Sequence, residues 1–234
     1  MIHLGHPKRL KICCLGGEIE FDLLSNATDS LRRAVELLAF NEIDLPHHAC
    51  LKHAVMGSAH CIELLLKERL RRINPAFVWE NIDRYPNLDA RTVTVDTAIC
   101  RLKTIGNISF SQDDERNLKA LRLTRNAIEH YEWHASEREA KVILGTALSF
   151  AFSFAQNELG IDLSVEYKDD DRWKNLLEED YDFARAHGKR LEEKLRSRGE
   201  YPACCDLCGA LTVPERGGGC ELCGHWQSAE DSFD

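Results

Sequence analysis

The segment "CCDLCGALTVPERGGGCELCG", residues 204 to 224, constrains the fold more than any other stretch of this 234-residue chain. Cys205 and Cys208 form one C-x2-C pair, Cys220 and Cys223 a second, and a glycine follows each pair directly, Gly209 and Gly224. Two thiolates three positions apart on a tight turn grip one ion, and the glycine lets the backbone close around it. Four thiolates complete a tetrahedral zinc shell with no position left open for a substrate. The expected zinc is therefore structural, stapling a segment too short to fold through a core of its own. Residues 209 to 219 between the pairs are long enough for a short hairpin. Cys204 adjoins Cys205 and takes its place as ligand if the register slips by one.

Ten cysteines are many for a chain of this kind, but five of them crowd into residues 204–223 and the rest are scattered. A disulfide framework would spread them through a small secreted chain, so the crowding reads as metal in a reducing compartment. The longest apolar run, residues 142–155, is too short to span a bilayer, and the N-terminus lacks an apolar core of signal-peptide length. A cytoplasmic protein without membrane contact is expected. The net charge of −9 argues against passive binding to nucleic acid. The excess is uneven, however. Residues 204–234 hold one arginine, Arg216, against Asp206, Glu215, Glu221, Glu230, Asp231 and Asp234, so most of it sits at the C-terminus and a local basic groove elsewhere is allowed.

Between residues 25 and 160 strand signals are almost absent and helical periodicity is strong. Residues 26–41 place apolar side chains at helical spacing behind capping residues. Pro46 opens a long helical pattern that ends near Pro75. Residues 77–94 read as a loop whose Trp79 and Tyr85 serve for base stacking or, more commonly, for anchoring the loop. Residues 95–106 form a shorter helix closed by Gly106. Ser111 and the acids after it start the next helix, and Ser136 with Glu139 makes a capping box for the last, which Gly160 ends. Residues 10–24 allow a short hairpin about Gly16 and Gly17. The charged residues 166–202 alternate Glu with Lys and Arg at helical spacing, as an exposed helical connector does.

One helix carries unusual chemistry. "LRLTRNAIEHYEWHASERE", residues 121–139, gathers Arg125, Asn126, Glu129, His130, Tyr131 and His134. Lys119, Arg122 and Arg125 recur every three positions and lay a positive band toward His130. Asn126, His130 and His134 fall one turn apart on an ideal helix, and the two histidines have the spacing of a helical metal pair. Arg125 and Glu129 alone would make an ordinary ion pair of a few tenths of a kcal/mol. His47, His48, His53 and His60, on the long helix, read as surface or satisfied core histidines.

"RNAIEH" resembles the R-x4-6-H motif of the HEPN family, in which the residue after the arginine is polar, here Asn126. "HAVMGSAHCIELLLKERLRRINP" resembles a core helix of that fold, and the helix over 136–159 corresponds to the next one. The cysteine segment is similar to a zinc ribbon. The fold class expected is all-α: a HEPN-like bundle over 1–165, with 1–24 as a hairpin or arm, the connector over 166–202, the ribbon over 203–226 and an acidic tail over 227–234. The resemblance implies a metal-independent endoribonuclease built as a homodimer, with the motif helices of two copies forming a composite cleft. The partners implied are RNA and an antitoxin or other regulatory protein, in the setting of toxin or phage-defence effectors. Arg125, His130, Asn126, Glu129 and Tyr131 are the catalytic candidates, Arg122 and Lys119 the RNA-binding ones, and Cys205, Cys208, Cys220 and Cys223 the zinc ligands. Arg125 and His130 differ by five positions, about 140° around a helix, so either Arg125 curls round or the two meet across a dimer seam. Tyr131 follows His130 directly, unlike the His-x-Tyr of the nucleotidyltransferase-paired branch. The alternative is a non-catalytic adaptor that dimerises through the bundle and docks a partner on the ribbon.

Overall fold

The computed structural model describes residues 19–39, 45–168 and 171–228; the hairpin about Gly16 and the tail beyond Ser228 lie outside them. The chain is mostly helical, as expected. α1 (Leu23–Ala39) buries Ala27, Leu31, Ala34 and Val35 along α2 (His47–Ile73), which returns Leu51, Ala54, Val55 and Ile62. α3 (Val95–Thr104) and α4 (Gln112–His130) follow, then α5 (Glu137–Leu159), which is buried along most of its length. Ser136 accepts from the Glu139 N–H while the Glu139 carboxylate accepts from the Ser136 N–H, the reciprocal cap expected from sequence.

Most charged groups inside the bundle are paired. Glu68, almost fully buried, accepts from Arg71 Nε at 2.7 Å and Arg72 Nε at 2.9 Å, and those bonds hold its carboxyl below the ordinary range against the opposing effect of burial. Arg72 also donates to the Leu159 carbonyl at 2.6 Å, tying the end of α2 to the end of α5. Residues 74–93 are not a plain loop. They contain two 3-10 turns, Pro75–Val78 and Ile82–Arg84, and Arg101 pins the segment by donating to the carbonyls of Phe77, Trp79 and Glu80. Trp79 donates to Asn87 O and packs edge-on against Tyr85, so the two aromatics are engaged with their own segment.

The region read as an exposed connector is helical but exposed on one face only. It forms α6 (Val165–Lys168), α7 (Asp171–Glu179) and α8 (Tyr181–Ser197). Their charged residues face outward, while Tyr167, Trp173, Leu176 and Phe183 join the core of the bundle. Trp173, Phe183 and His187 pack around Phe152 of α5 with ring centroids 5.3 to 5.8 Å away. Gly145 makes this seam possible: a Cβ there would lie 2.5 Å from the Phe183 nitrogen. The expectation missed this because the outward charges dominate the local composition and the four buried residues are far apart in the string.

Among the described residues, four short strands follow α8. β1 (Ala203–Cys204) pairs antiparallel with β2 (Leu211–Val213), and β3 (Gly218–Gly219) with β4 (Trp226–Gln227). Gln227, assigned to the tail from sequence, thus belongs to a strand. Ala203, Val213 and Leu222 form a small core together with Leu191 of α8. The unit does not stand apart: the Trp173 indole donates to the Leu222 carbonyl at 2.7 Å.

Candidate functional site

Two sites emerge from these elements. At the first, the Cys205–Cys208 and Cys220–Cys223 turns are built alike. The Gly209 N–H donates to Cys205 O and the Gly224 N–H to Cys220 O, each at 2.8 Å. Both glycines have positive φ, 71° and 79°, which a side chain would resist. The four sulfurs lie within 4.8 Å of one another, with Cys205–Cys223 at 3.6 Å and Cys208–Cys220 at 3.7 Å. Zinc–sulfur bonds of about 2.3 Å in a tetrahedron require sulfur–sulfur edges of about 3.8 Å, so the cluster fits such an ion. Cys204 is outside it: its thiol is directed at Gly209 O, 3.4 Å away, which settles the register on Cys205.

The thiols respond to this setting. Burial pushes Cys208 up to about 11 and Cys223 higher still, with Cys220 adding repulsion to both. Burial opposes ionisation of Cys220 too, but the Cys223 N–H and the Thr212 hydroxyl, 3.0 Å from its sulfur, bring it below the ordinary thiol value. One thiolate forms readily; four at this spacing require a cation. The arrangement can therefore hold a metal ion such as zinc.

The second site lies on α4, whose N-terminus is capped by Ser111, with the Ser111 hydroxyl accepting from the Asp114 N–H at 3.0 Å. Arg190 of α8 pairs with the Asp114 carboxylate and ties this end to the rest of the bundle. The other end is open. α4 stops at His130: the Tyr131 backbone leaves the helical region, and Trp133 packs against the core. His134 is therefore beyond the helix and near Glu132, 3.3 Å away, and the expected helical alignment of His130 with His134 does not exist. Among the described residues, the only cluster of three or more metal-ligating side chains is the cysteine one.

Arg125 Nη1 lies 2.6 Å from Glu129 Oε2, and His130 Nε2 lies 3.6 Å from the same oxygen. Arg125 also donates to Asn126 Oδ1 at 3.2 Å. One carboxylate oxygen thus stands between the two groups that an ideal helix separates, and it does so within a single chain. His130 remains 67% exposed. Arg122, Arg125 and Asn126 line a groove of about 350 Å³ between α4, α2 and the start of α3. Lys119 is exposed and Tyr131 is 86% exposed, and neither lines that groove. The groove also contains Asp96, which pairs with Arg122 at 3.1 Å, and Glu63, which pairs with Lys67. Sequence inspection did not find these carboxylates, and no local signal marks them, since they come from other helices. The histidines of α2 behave as expected: His47 pairs with Glu137 at 3.1 Å and His60 with the Ser30 hydroxyl at 3.0 Å.

A larger cleft of about 1370 Å³ lies between α8, the start of α4 and the Cys205–Cys208 turn, away from the Arg125 groove. Acids and bases are mixed along it, as at Asp182, Arg185, Lys189 and Glu193, so it offers no single-signed surface. Among the described residues, no helix is long and apolar enough to cross a membrane. No protein-family model matches the chain, and no curated protein or solved structure matches it either.

Proposed function

We propose that the chain is a metal-independent endoribonuclease of HEPN type, acting as a homodimer, with zinc in its cysteine cluster as a structural staple. The observation that carries this reading is the meeting of Arg125 and His130 at one Glu129 oxygen on an exposed helix end. RNA cleavage without a metal needs a base to take the 2′-OH proton, an acid to protonate the leaving 5′-oxygen, and positive charge on the pentacoordinate phosphorus. Histidine serves for proton transfer near neutral pH. Arginine offers a planar fork to phosphate oxygens, and the Asn126 amide orients the phosphate or the imidazole. The 2′-oxygen forms its bond to phosphorus as the bond to the 5′-oxygen breaks, leaving a 2′,3′-cyclic phosphate and a 5′-hydroxyl. Glu129 occupies Arg125 in the free protein, so RNA exchanges its phosphate for that carboxylate. Two copies packed α4 to α4 supply two histidines, one as acid and one as base. Leu123, 53% exposed in the middle of α4, gives that contact an apolar centre.

The test is incubation of labelled RNA with the protein and with Arg125→Ala and His130→Ala variants, in the presence of EDTA. Cleavage by the parent alone, ending in cyclic phosphate, is expected. Three equally inactive, well-folded proteins would favour the second reading, a helical adaptor. Leu207 and Trp226, each 69% exposed on the cysteine unit, favour that alternative as a docking surface.

A further inference from the structure

We propose that the groove beside Arg125 is a nucleobase pocket that prefers guanine. Only its link to cleavage rests on the ribonuclease reading. At about 350 Å³ it has the size of a small-ligand site. Its floor is aliphatic, made by Ala59 and Ile62 of α2, Val93 and Val95 beside the start of α3, and Leu121 of α4. Its rim is charged but balanced: Glu63 and Asp96 against Arg122 and Arg125.

Those two features select the chemistry of the occupant. A phosphate alone would meet as much negative as positive charge. A wholly apolar molecule would strip water from four ionised groups and return no hydrogen bonds. A planar ring with apolar faces and polar edges suits both the floor and the rim, which is how unstacked RNA bases are recognised. Arg122 and Asp96 stand side by side, Nη2 to Oδ2 3.1 Å, and Arg122 Nε is buried with no hydrogen-bond partner among the described residues. Guanine carries two acceptors, O6 and N7, next to two donors, N1–H and the N2 amine. Arginine serves the first pair. A carboxylate serves the second. Adenine and uracil offer neither the adjacent acceptor pair nor the adjacent donor pair. A guanosine held here sets its 3′-phosphate beside Arg125 and Asn126 at the rim, so the pocket names the base next to the scissile bond.

The experiment is calorimetric titration of the full-length protein with guanosine 5′-monophosphate, adenosine 5′-monophosphate, uridine 5′-monophosphate and inorganic phosphate. The guanosine nucleotide should bind at least about tenfold more tightly than the other two, and phosphate alone should bind far more weakly. Asp96→Asn should erase the preference, and Ala59→Phe, which fills the floor, should abolish binding of all three nucleotides while leaving the circular dichroism unchanged. If Ala59→Phe fails to fold, Asp96→Asn decides. Equal binding of phosphate and nucleotide, or a guanine preference untouched by Asp96→Asn, overturns the pocket. Nucleotide binding without RNA cleavage sustains the pocket and removes the ribonuclease. Cleavage that needs His130 but shows neither nucleotide binding nor a guanine at the cut removes the pocket alone.

Discussion

Asp180 is the buried carboxyl with the clearest measurable consequence. It caps α8, its Oδ1 accepting from the Phe183 N–H at 2.9 Å, yet it is only 2% exposed and its Oδ2 has no hydrogen-bond partner among the described residues. Burial pushes its carboxyl up to about 6. The folded state therefore holds a proton that the unfolded chain releases near pH 4. The stabilising effect is complete below that pH, declines as pH rises through 6, and is absent above it. Asp180→Asn keeps a capping oxygen without the charge. In denaturant titrations it should match the parent near pH 4 and exceed it by about 2 kcal/mol above pH 7. Glu129 offers a second test. With its charge removed, Arg125 has no intramolecular competitor for phosphate, so Glu129→Gln should tighten RNA binding about threefold to tenfold at fixed salt, read by fluorescence anisotropy. At the cysteine cluster, metal analysis should return about one zinc per chain for the parent and for Cys204→Ser, and much less for Cys205→Ser with Cys220→Ser.

At the scale of elements, the seam between α5 and α8 depends on Gly145. A Cβ at that position would lie 2.5 Å from Phe183 N and 2.7 Å from the Asp182 carbonyl carbon, both backbone atoms that cannot turn aside. Gly145→Ala should therefore destabilise the protein by about 2–4 kcal/mol even though alanine is the better helix former, and guanidinium unfolding measures it. Most helix boundaries could be read from the string because their signals are local: Ser111, Ser136 with Glu139, and Gly160 act within a turn. The packing of α7 and α8 could not. Trp173 and Phe183 are single large residues among many charges, and Phe152, the ring they share, is far off in the sequence.

For the whole molecule, the cysteine cluster, α7 and α8 form one mechanical unit through Trp173, Leu191 and Leu222. Stripping the metal with a strong chelator should lower the unfolding temperature and shift tryptophan emission to the red as Trp173 meets water, whereas an isolated ribbon would release zinc without either change. The cysteine ligands, the helical character and the candidate groups on α4 were set by sequence alone, because thiol spacing, caps and periodicity act over a few residues. Tertiary structure decided that Cys205 rather than Cys204 joins the cluster, that α4 ends at His130, and that Asp96 and Glu63 face Arg122 across a groove. Each of those outcomes depends on where a distant helix or turn comes to rest, and no short-range rule of chain chemistry carries that information.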